Sequence, residues 1–428
     1  MHFEMELKEL VENQYNFLKE KEGDDPVRKK GVESFLSLGI PTSKHEEWKY
    51  ADFNRVLKAP FSFFTPSLTK ADIAPFLIEG LDAHLVVLVN GNYTDSLSDL
   101  SGIGNQAIIR NFAEVKDTLK ENLNAYADAH NNPFSSLSTA LATSGVYIEI
   151  PDGNLVEKPI FILNIIDTRK NPVLSLPRNF VRIGKNAQAK IVETQVSLGT
   201  QEGFTNGYTE IYAKSASLGA YYKLQLQHAN ASLVDTTQII QEDSSTFTCT
   251  TISLSGNMVR NNLNFILNGE HCEGNMNGLV LLKGTTLVDN HTSVDHVKPN
   301  SASNELYKGI LDEKSTGVFN GKIFVRQDAQ KTNAYQSNKN LLISEEATMN
   351  TKPQLEIWAN DVKCSHGATI GKLDKDMLFY LKARGIGEKS ARAILMKAFA
   401  YDVLATLSLE PLKEYLDKLI SERLELEM

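Results

Sequence analysis

The sequence predicts a mainly β protein with helical ends, its centre built as a β-solenoid. Three observations lead there. From Ser144 to Ile370, short segments rich in Val, Ile, Thr, Tyr and Phe follow one another with turn residues between them. No convincing amphipathic helix interrupts them. A doubly wound α/β sheet needs helical crossovers, so that class is removed. A very large sandwich, a propeller and a solenoid are left. Roughly regular strand spacing and the scarcity of Asn-Gly and Gly-Asp hairpin signals favour the solenoid. So do Asn261, Asn262, Asn264, Asn268, Asn275 and Asn277, which recur where β-propensity disfavours them. At coil corners such residues would hydrogen-bond from one turn to the next.

The elements follow in order. In FEMELKELVENQYNFLKE (3–20), Leu7, Leu10, Val11, Tyr15 and Leu18 recur at helical spacing. GDDP (23–26) ends that helix, and Pro26 opens a second one running to about Leu38. GIPTSKHEEWKYADF (39–53) reads as an ordered loop. A strand is expected at His84–Val89, with helical patterning near 111–130. The β region then runs through Val146–Ile150, Ile160–Ile166, Phe180–Ile183, Ala189–Val196, Tyr208–Ala213, Ala220–Gln227, Thr246–Leu254 and Asn261–Leu267. It continues through Gly278–Leu282, Leu287–Val294, Glu305–Leu311, Val318–Val325, Asn340–Ile343, Gln354–Ala359 and Cys364–Ile370. Beyond Lys372 helical spacing returns, with Asp374 as N-cap and two further helices at Glu388–Ala400 and Leu409–Leu426. Leu412, Leu416, Leu419, Ile420 and Leu424 form an apolar stripe there, suited to packing on the chain itself or to docking a partner. The division expected is a helical and mixed region at 1–140, a β core at 141–372 and a helical tail at 373–428.

Composition bounds the function. The 428 residues are 42% hydrophobic and 23% charged, enough to bury a sizeable core. Lys and Arg number 44 against 53 Asp and Glu, so the net charge of -9 disfavours nucleic acid and anionic membranes as partners. Three cysteines, Cys249, Cys272 and Cys364, form no disulfide framework and fit a reducing compartment. The acidic start MHFEMELKEL is no signal peptide, and Leu85–Val89 is far too short to span a bilayer. A cytoplasmic protein is expected.

Several chemistries find no support. Gly317–Lys322 (GVFNGK) is one residue short of a phosphate-binding loop and lacks its hydroxyl. No G-x-S-x-G nucleophile elbow occurs. Glu345 and Glu346 are adjacent and so splay apart. Leu381–Met396 (LKARGIGEKSARAILM) resembles a helix-hairpin-helix, but a Gly-terminated helix followed by another helix explains the same letters. Metal chemistry is better represented. In DVKCSHGATI, Cys364 and His366 share one strand face with Cα atoms about 6.5–7 Å apart. Thiol and imidazole both bind iron or zinc. His271–Cys272 point to opposite faces, and His291 and His296 share none. Any site at Cys364 and His366 is incomplete locally and needs distant residues or a second chain. Cys249 and Cys272 read as buried core.

Residues 329–386, AQKTNAYQSNKNLLISEEATMNTKPQLEIWANDVKCSHGATIGKLDKDMLFYLKARGI, closely resemble the SufD form of the SufB/SufD family of iron–sulfur cluster assembly proteins. LGIPTSKHEEWKYADF (38–53) is similar to the same family's Pro…Glu-x-Trp-Lys-Tyr segment. SufB-like sequences tend to carry an E-H-E-A-T type stretch where this chain has Cys364-Ser365-His366-Gly367-Ala368-Thr369.

The resemblance implies a right-handed parallel β-helix between helical regions. It implies a complex with SufB and the ATPase SufC, with SufB paired through the β-helical cores and SufC docked on the tail. His366 matches the family's candidate iron or cluster ligand, and Cys364 is its neighbour with a weaker claim. A transient iron–sulfur cluster or iron is expected in the complex, with none resident in the isolated chain. That isolated chain is expected to be a homodimer. The rival readings are a metal-dependent solenoid enzyme and a DNA-binding protein using Lys382–Lys389.

Overall fold

The computed structural model describes residues 2–51, 56, 59–116, 118–119 and 132–425, with side chains from residue 7 onward. Its centre is a parallel β-solenoid of two facing sheets, with helices packed on the outside of each. The chain alternates between the sheets. One sheet collects His84–Val89, Ile160–Asp167, Gln188–Leu198, Leu218–Leu226, Thr246–Ser255, Glu273–Leu282, Ala302–Leu311, Thr332–Leu342 and Val362–Gly371. The other collects Val146–Ile150, Arg178–Ile183, Gly203–Ala213, Ala231–Gln241, Met258–Leu267, Leu287–His296, Thr316–Val325 and Thr348–Ile357. Successive turns vary in length: Leu233 pairs with Val259, whereas Thr316 pairs with Thr348.

Register places like residues over like. Ile148, Val181, Ile211, Ile239, Phe265, Val294, Ile323 and Leu355 form one column facing the interior. Each such buried side chain contributes roughly 1.5–3 kcal/mol of transfer free energy. Polar ladders run beside it. Lys223 meets Asp235 at 2.6 Å, and Glu193 accepts from Tyr221 and from Gln195. Gln225 donates to Asn261, which donates to Asn290 one turn on. Burial and the nearby Asp235 push the Glu193 carboxyl up to about 7.

The Asn residues expected at corners lie elsewhere. Asn261, Asn262, Asn264, Asn275 and Asn277 sit within strands, and Asn268 alone of the six follows one. They do bond between turns: Asn262 to Thr236, Asn277 to Thr250, and Asn304 to Asn275. The corners carry a different signature. On one side of the coil Asn186, Ala216, Ser244, His271, Asn300 and Lys331 take left-handed backbone geometry without glycine, whereas on the other Gly199, Gly256 and Gly284 take it. His271 is thus a corner residue. Cys272 beside it is buried and donates its S–H to backbone carbonyls, at 3.2 Å to Glu242 and 3.3 Å to Gly269.

The helices Pro26–Leu38, capped by Asp25, and Pro133–Leu141, capped by Asn132, cover the second sheet together with His2–Glu22. Of the patterning near 111–130, Phe112–Val115 is helical, and 120–131 fall outside the described residues. Trp48 is buried against Phe134 at 5.2 Å, with the Arg260 guanidinium 4.2 Å above its ring. Arg260 is itself held by Asp289 at 2.6 Å and donates to the Glu47 carbonyl. This clasp fixes the loop to the solenoid wall.

The tail helices Glu388–Leu404 and Glu410–Arg423 cover the first sheet. Leu412, Leu416, Ile420 and Leu424 are buried with Phe161, Leu163, Tyr222, Leu224, Ile252 and Leu281 of the solenoid wall. This corrects the use of the stripe as support for docking: it is already satisfied within the chain. Leu426, the expected end of the last helix, lies outside the described residues.

Replacing Trp48 with Ala removes both the ring contact with Phe134 and the surface under Arg260. The expected loss is about 3–5 kcal/mol of unfolding free energy. Urea unfolding followed by far-ultraviolet circular dichroism measures it.

Candidate functional site

The two sheets end differently. At the N-terminal end Asn92–Tyr93 and Ile108–Asn111 add antiparallel strands to the sheet edges. At the other end the last strands, Thr348–Ile357 and Val362–Gly371, each pair on one side. Among the described residues no further strand joins their outer edges. Each edge therefore presents backbone N–H and C=O groups ready to accept another strand.

Cys364 and His366 stand on this terminal strand. Cys364 pairs in register with Ala334, and His366 with Gln336. Ala334 and Gln336 are both buried in the interior, so both residues lie in the inward phase of the solenoid. Cys364 is half-buried against the core, whereas His366 is exposed because no turn follows to cover it. Burial pushes the Cys364 thiol above its ordinary value, so it is held as thiol at neutral pH. The shared face expected from the sequence is thus present. Among the described residues no three His, Cys, Asp or Glu side chains gather closely enough to hold a metal.

Beneath His366 the column continues to Gln336 and then Glu305. Glu305 Oε2 accepts from the Thr292 hydroxyl at 2.7 Å. Its other neighbour is the Gln336 amide, which like the Thr292 hydroxyl favours the charged carboxylate. Burial pushes the Glu305 carboxyl up to about 7, offset in part by Thr292 and Gln336. Neither residue stood out in the sequence. Both lie in polar stretches, and only the register shows that they share a column with His366.

Cys249, His296 and His291 are committed elsewhere. Cys249 is fully buried, and burial pushes its thiol up to about 12. His296 is buried with its ring 2.9 Å from the Ser303 hydroxyl. His291 has both ring nitrogens engaged, Nδ1 with Glu47 at 3.2 Å and Nε2 with Asp289 at 3.0 Å. His291 and Lys322 hold the Glu47 carboxyl down to about 2. An imidazole clasped by two carboxylates serves the wall, not proton transfer to a substrate.

In the tail, helix Lys375–Ala383 has no buried residue. Met377, Phe379 and Tyr380 are exposed by 56%, 74% and 58%, apolar surface that the described residues leave largely uncovered. The Gly385–Gly387 turn joins this helix to Glu388–Leu404. Lys382 is paired with Glu388 at 2.7 Å and Lys389 with Glu425 at 2.5 Å, and the Arg384 guanidinium lies 5.3 Å over the Tyr380 ring. No helix among the described residues is long and apolar enough to cross a membrane.

Comparison with known proteins decides the family. Residues 164–399 match the family described as SUF system FeS cluster assembly, SufBD core domain, and residues 1–162 match the SufBD protein N-terminal region. The chain belongs to the SufBD family. It is 30% identical to the iron–sulfur cluster assembly protein SufD of Escherichia coli, over 96% of both chains. It is 31% identical to an iron–sulfur cluster assembly SufBD family protein of Synechocystis, over 92% of this chain and 90% of that one. A chloroplastic protein of Arabidopsis thaliana is 28% identical over 88% of this chain and 81% of its own length. The SufBD core match takes in the solenoid turns that end in Cys364 and His366. Family membership supports a role in iron–sulfur cluster assembly.

The Glu305 position gives a pH signature. An ordinary glutamate titrates near 4.5, and folded Glu305 near 7. Between those values the unfolded chain has released a proton that the folded chain retains. Its contribution to stability is therefore full below the lower value and lost as pH rises through the upper one. In chelator-treated buffer, Glu305→Gln is expected to be more stable than wild type at pH 8 by on the order of 3 kcal/mol. At pH 4.5 the difference should be small. Urea unfolding of both proteins at the two pH values checks this; an equal difference at both contradicts it.

Proposed function

We propose that this chain is a non-catalytic scaffold subunit in iron–sulfur cluster assembly. It pairs with a SufB-type chain through the open end of the solenoid and docks a SufC-type ATPase on its tail. The observation that carries this reading is the position of His366, exposed in the inward phase of a terminal strand paired on one side only. Such a ligand set is completed by another chain. Its edge offers main-chain hydrogen bonds to a second β-solenoid, and Ile357, Trp358 and Ile370 add exposed apolar surface around it.

The chemistry suits a site that gives up its product. A cluster prefers thiolates, and imidazole is a weaker, exchangeable ligand. His366 supplies one such ligand at the interface. Cys364, held as thiol by its burial, stands next to it with a lesser claim. The cluster or its iron is cargo assembled in the complex, and the isolated chain carries none as a resident group. Persulfide sulfur enters on the SufB-type partner, and ATP hydrolysis belongs to the SufC-type partner. The docking surface for that ATPase is the exposed face of Met377, Phe379 and Tyr380, in place of the buried leucine stripe. Without partners, the same open edges pair two copies of this chain. The acidic charge disfavours nucleic acid and membrane as partners, and the sparse free cysteines suit the cytoplasm.

Two outcomes follow. In the complex co-expressed and purified without oxygen, His366→Ala should leave subunit stoichiometry intact and lower iron and acid-labile sulfide severalfold. Unchanged iron and sulfide would sink the role of His366. Changing Phe379 and Met377 together to Asp should abolish co-purification of the ATPase while SufB-type pairing persists. Retention of the ATPase would move the docking surface elsewhere.

A further inference from the structure

The two open edges of the solenoid are not equivalent. Successive residues of a strand send their N–H and C=O groups to opposite sides, so alternate residues bond the neighbouring strand and the others face outward. On Thr348–Ile357 the even-numbered residues face the strand before. Thr348 N donates to the Ser315 carbonyl at 3.0 Å and Trp358 N to the Val325 carbonyl at 2.9 Å. The register between them is unbroken from Thr316 with Thr348 to Val325 with Ile357. The outward row is therefore Met349, Thr351, Pro353, Leu355 and Ile357. Pro353 stands at its middle and has no N–H to give.

Val362–Gly371 is different. Asn333 N donates to the Ser301 carbonyl at 3.1 Å, so the even-numbered residues of Thr332–Leu342 face the last strand. In a parallel ladder each of them bonds the residues on either side of its register partner. Those partners are Val362, Cys364, His366, Ala368 and Ile370. The residues bonded are thus the odd-numbered ones, and the Asp361 carbonyl, which accepts from Lys331, points the same way. Val362, Cys364, His366, Ala368 and Ile370 form the outward row, and every one of them has an N–H. A strand laid on this edge can be bonded along its whole length. A strand laid on the other meets the Pro353 ring where a donor is needed, which is one way that sheets keep an edge from pairing.

We propose that a SufB-type partner adds its strand to the first-sheet edge, Val362–Gly371, and that Pro353 closes the second-sheet edge to main-chain pairing. The proposal rests on the reading of the open end as the partner surface and names which of its two edges makes the bonds. The partner that fits is a β-solenoid with a complete, proline-free edge strand of its own. At the second edge contact is made by side chains, with Ile357 and Trp358 exposed there. The strand that bonds the partner is the one that carries Cys364 and His366, so pairing brings both side chains to the seam.

The test uses the full-length chain and its SufB-type partner, and sets one proline on each outward row. Among the described residues no strand bonds the outer side of Val362–Gly371, so Ala368→Pro removes an N–H that the ladder inside the chain does not use. It should weaken partner binding at least about tenfold, whereas Thr351→Pro should stay within about twofold of wild type, with circular dichroism and melting showing both folded. Wild-type affinity in Ala368→Pro overturns the proposal, and so does an equal loss in Thr351→Pro. Hydrogen exchange of the wild-type complex decides the same point without a substitution. The amides of Val362, His366, Ala368 and Ile370 should gain protection on binding, and those of Thr351 and Leu355 should not. Equal protection of Thr351 and Leu355 overturns the proposal while the open end remains the partner surface. A complex that protects neither row overturns both.

Discussion

Each turn of this solenoid is held by backbone hydrogen bonds to the turn before it and the turn after it. That stacking places isoleucine over valine and asparagine over asparagine without a strict sequence repeat. It also sets the one exception on which function depends. The final turn has a neighbour on one side only, so its edges and its inward-phase side chains are open. The N-terminal end escapes this through antiparallel strands laid along its sheet edges. The molecule is therefore polar along its length, closed at one end and receptive at the other.

The two helical regions serve the same architecture. Each covers the outer face of one sheet, the N-terminal helices through Phe35, Trp48 and Phe134, the tail through Leu412, Leu416 and Ile420. Covering both faces lets the strands carry apolar residues outward as well as inward, as Phe161 to Ile165 do. The last turn and helix Lys375–Ala383, which follow one another in the chain, gather the exposed residues Ile357, Trp358, Ile370, Met377, Phe379 and Tyr380. The proposed partner surfaces and His366 thus fall close together in sequence.

Much of this was legible in the sequence. His84–Val89 and Val146–Ile150 fall where β-rich composition puts them, and the Asp374 cap and the Pro26 helix start hold as read. Strands with polar stretches were cut short. Glu273–Leu282 begins with EGNMN, and Thr332–Leu342 is polar for most of its length. Ala231–Gln241 was missed because Asp235, Thr236, Thr237 and Gln238 interrupt its apolar pattern. Those residues are buried, with Asp235 and Thr237 meeting Lys223 from the facing strand, a pairing composition does not disclose. Corners on one side were hard to see because Ala216, Ser244, His271 and Lys331 adopt the left-handed geometry that glycine would have advertised. At the site, the common face of Cys364 and His366 followed from strand period alone. Glu305 and Gln336 did not, because they are 61 and 30 residues away and only the turn register brings them into the column.

The central claim is that the open end of the solenoid is the working end. Hydrogen exchange read residue by residue along Val362–Gly371 tests it most directly, comparing the dilute isolated chain with the chain bound to its SufB-type partner. The account predicts fast exchange at the outer edge of this strand in the dilute chain and strong protection in the complex. Inner strands such as Met258–Leu267 should be equally protected in both. Equal exchange along Val362–Gly371 in the two states, with protection gained elsewhere, would contradict it.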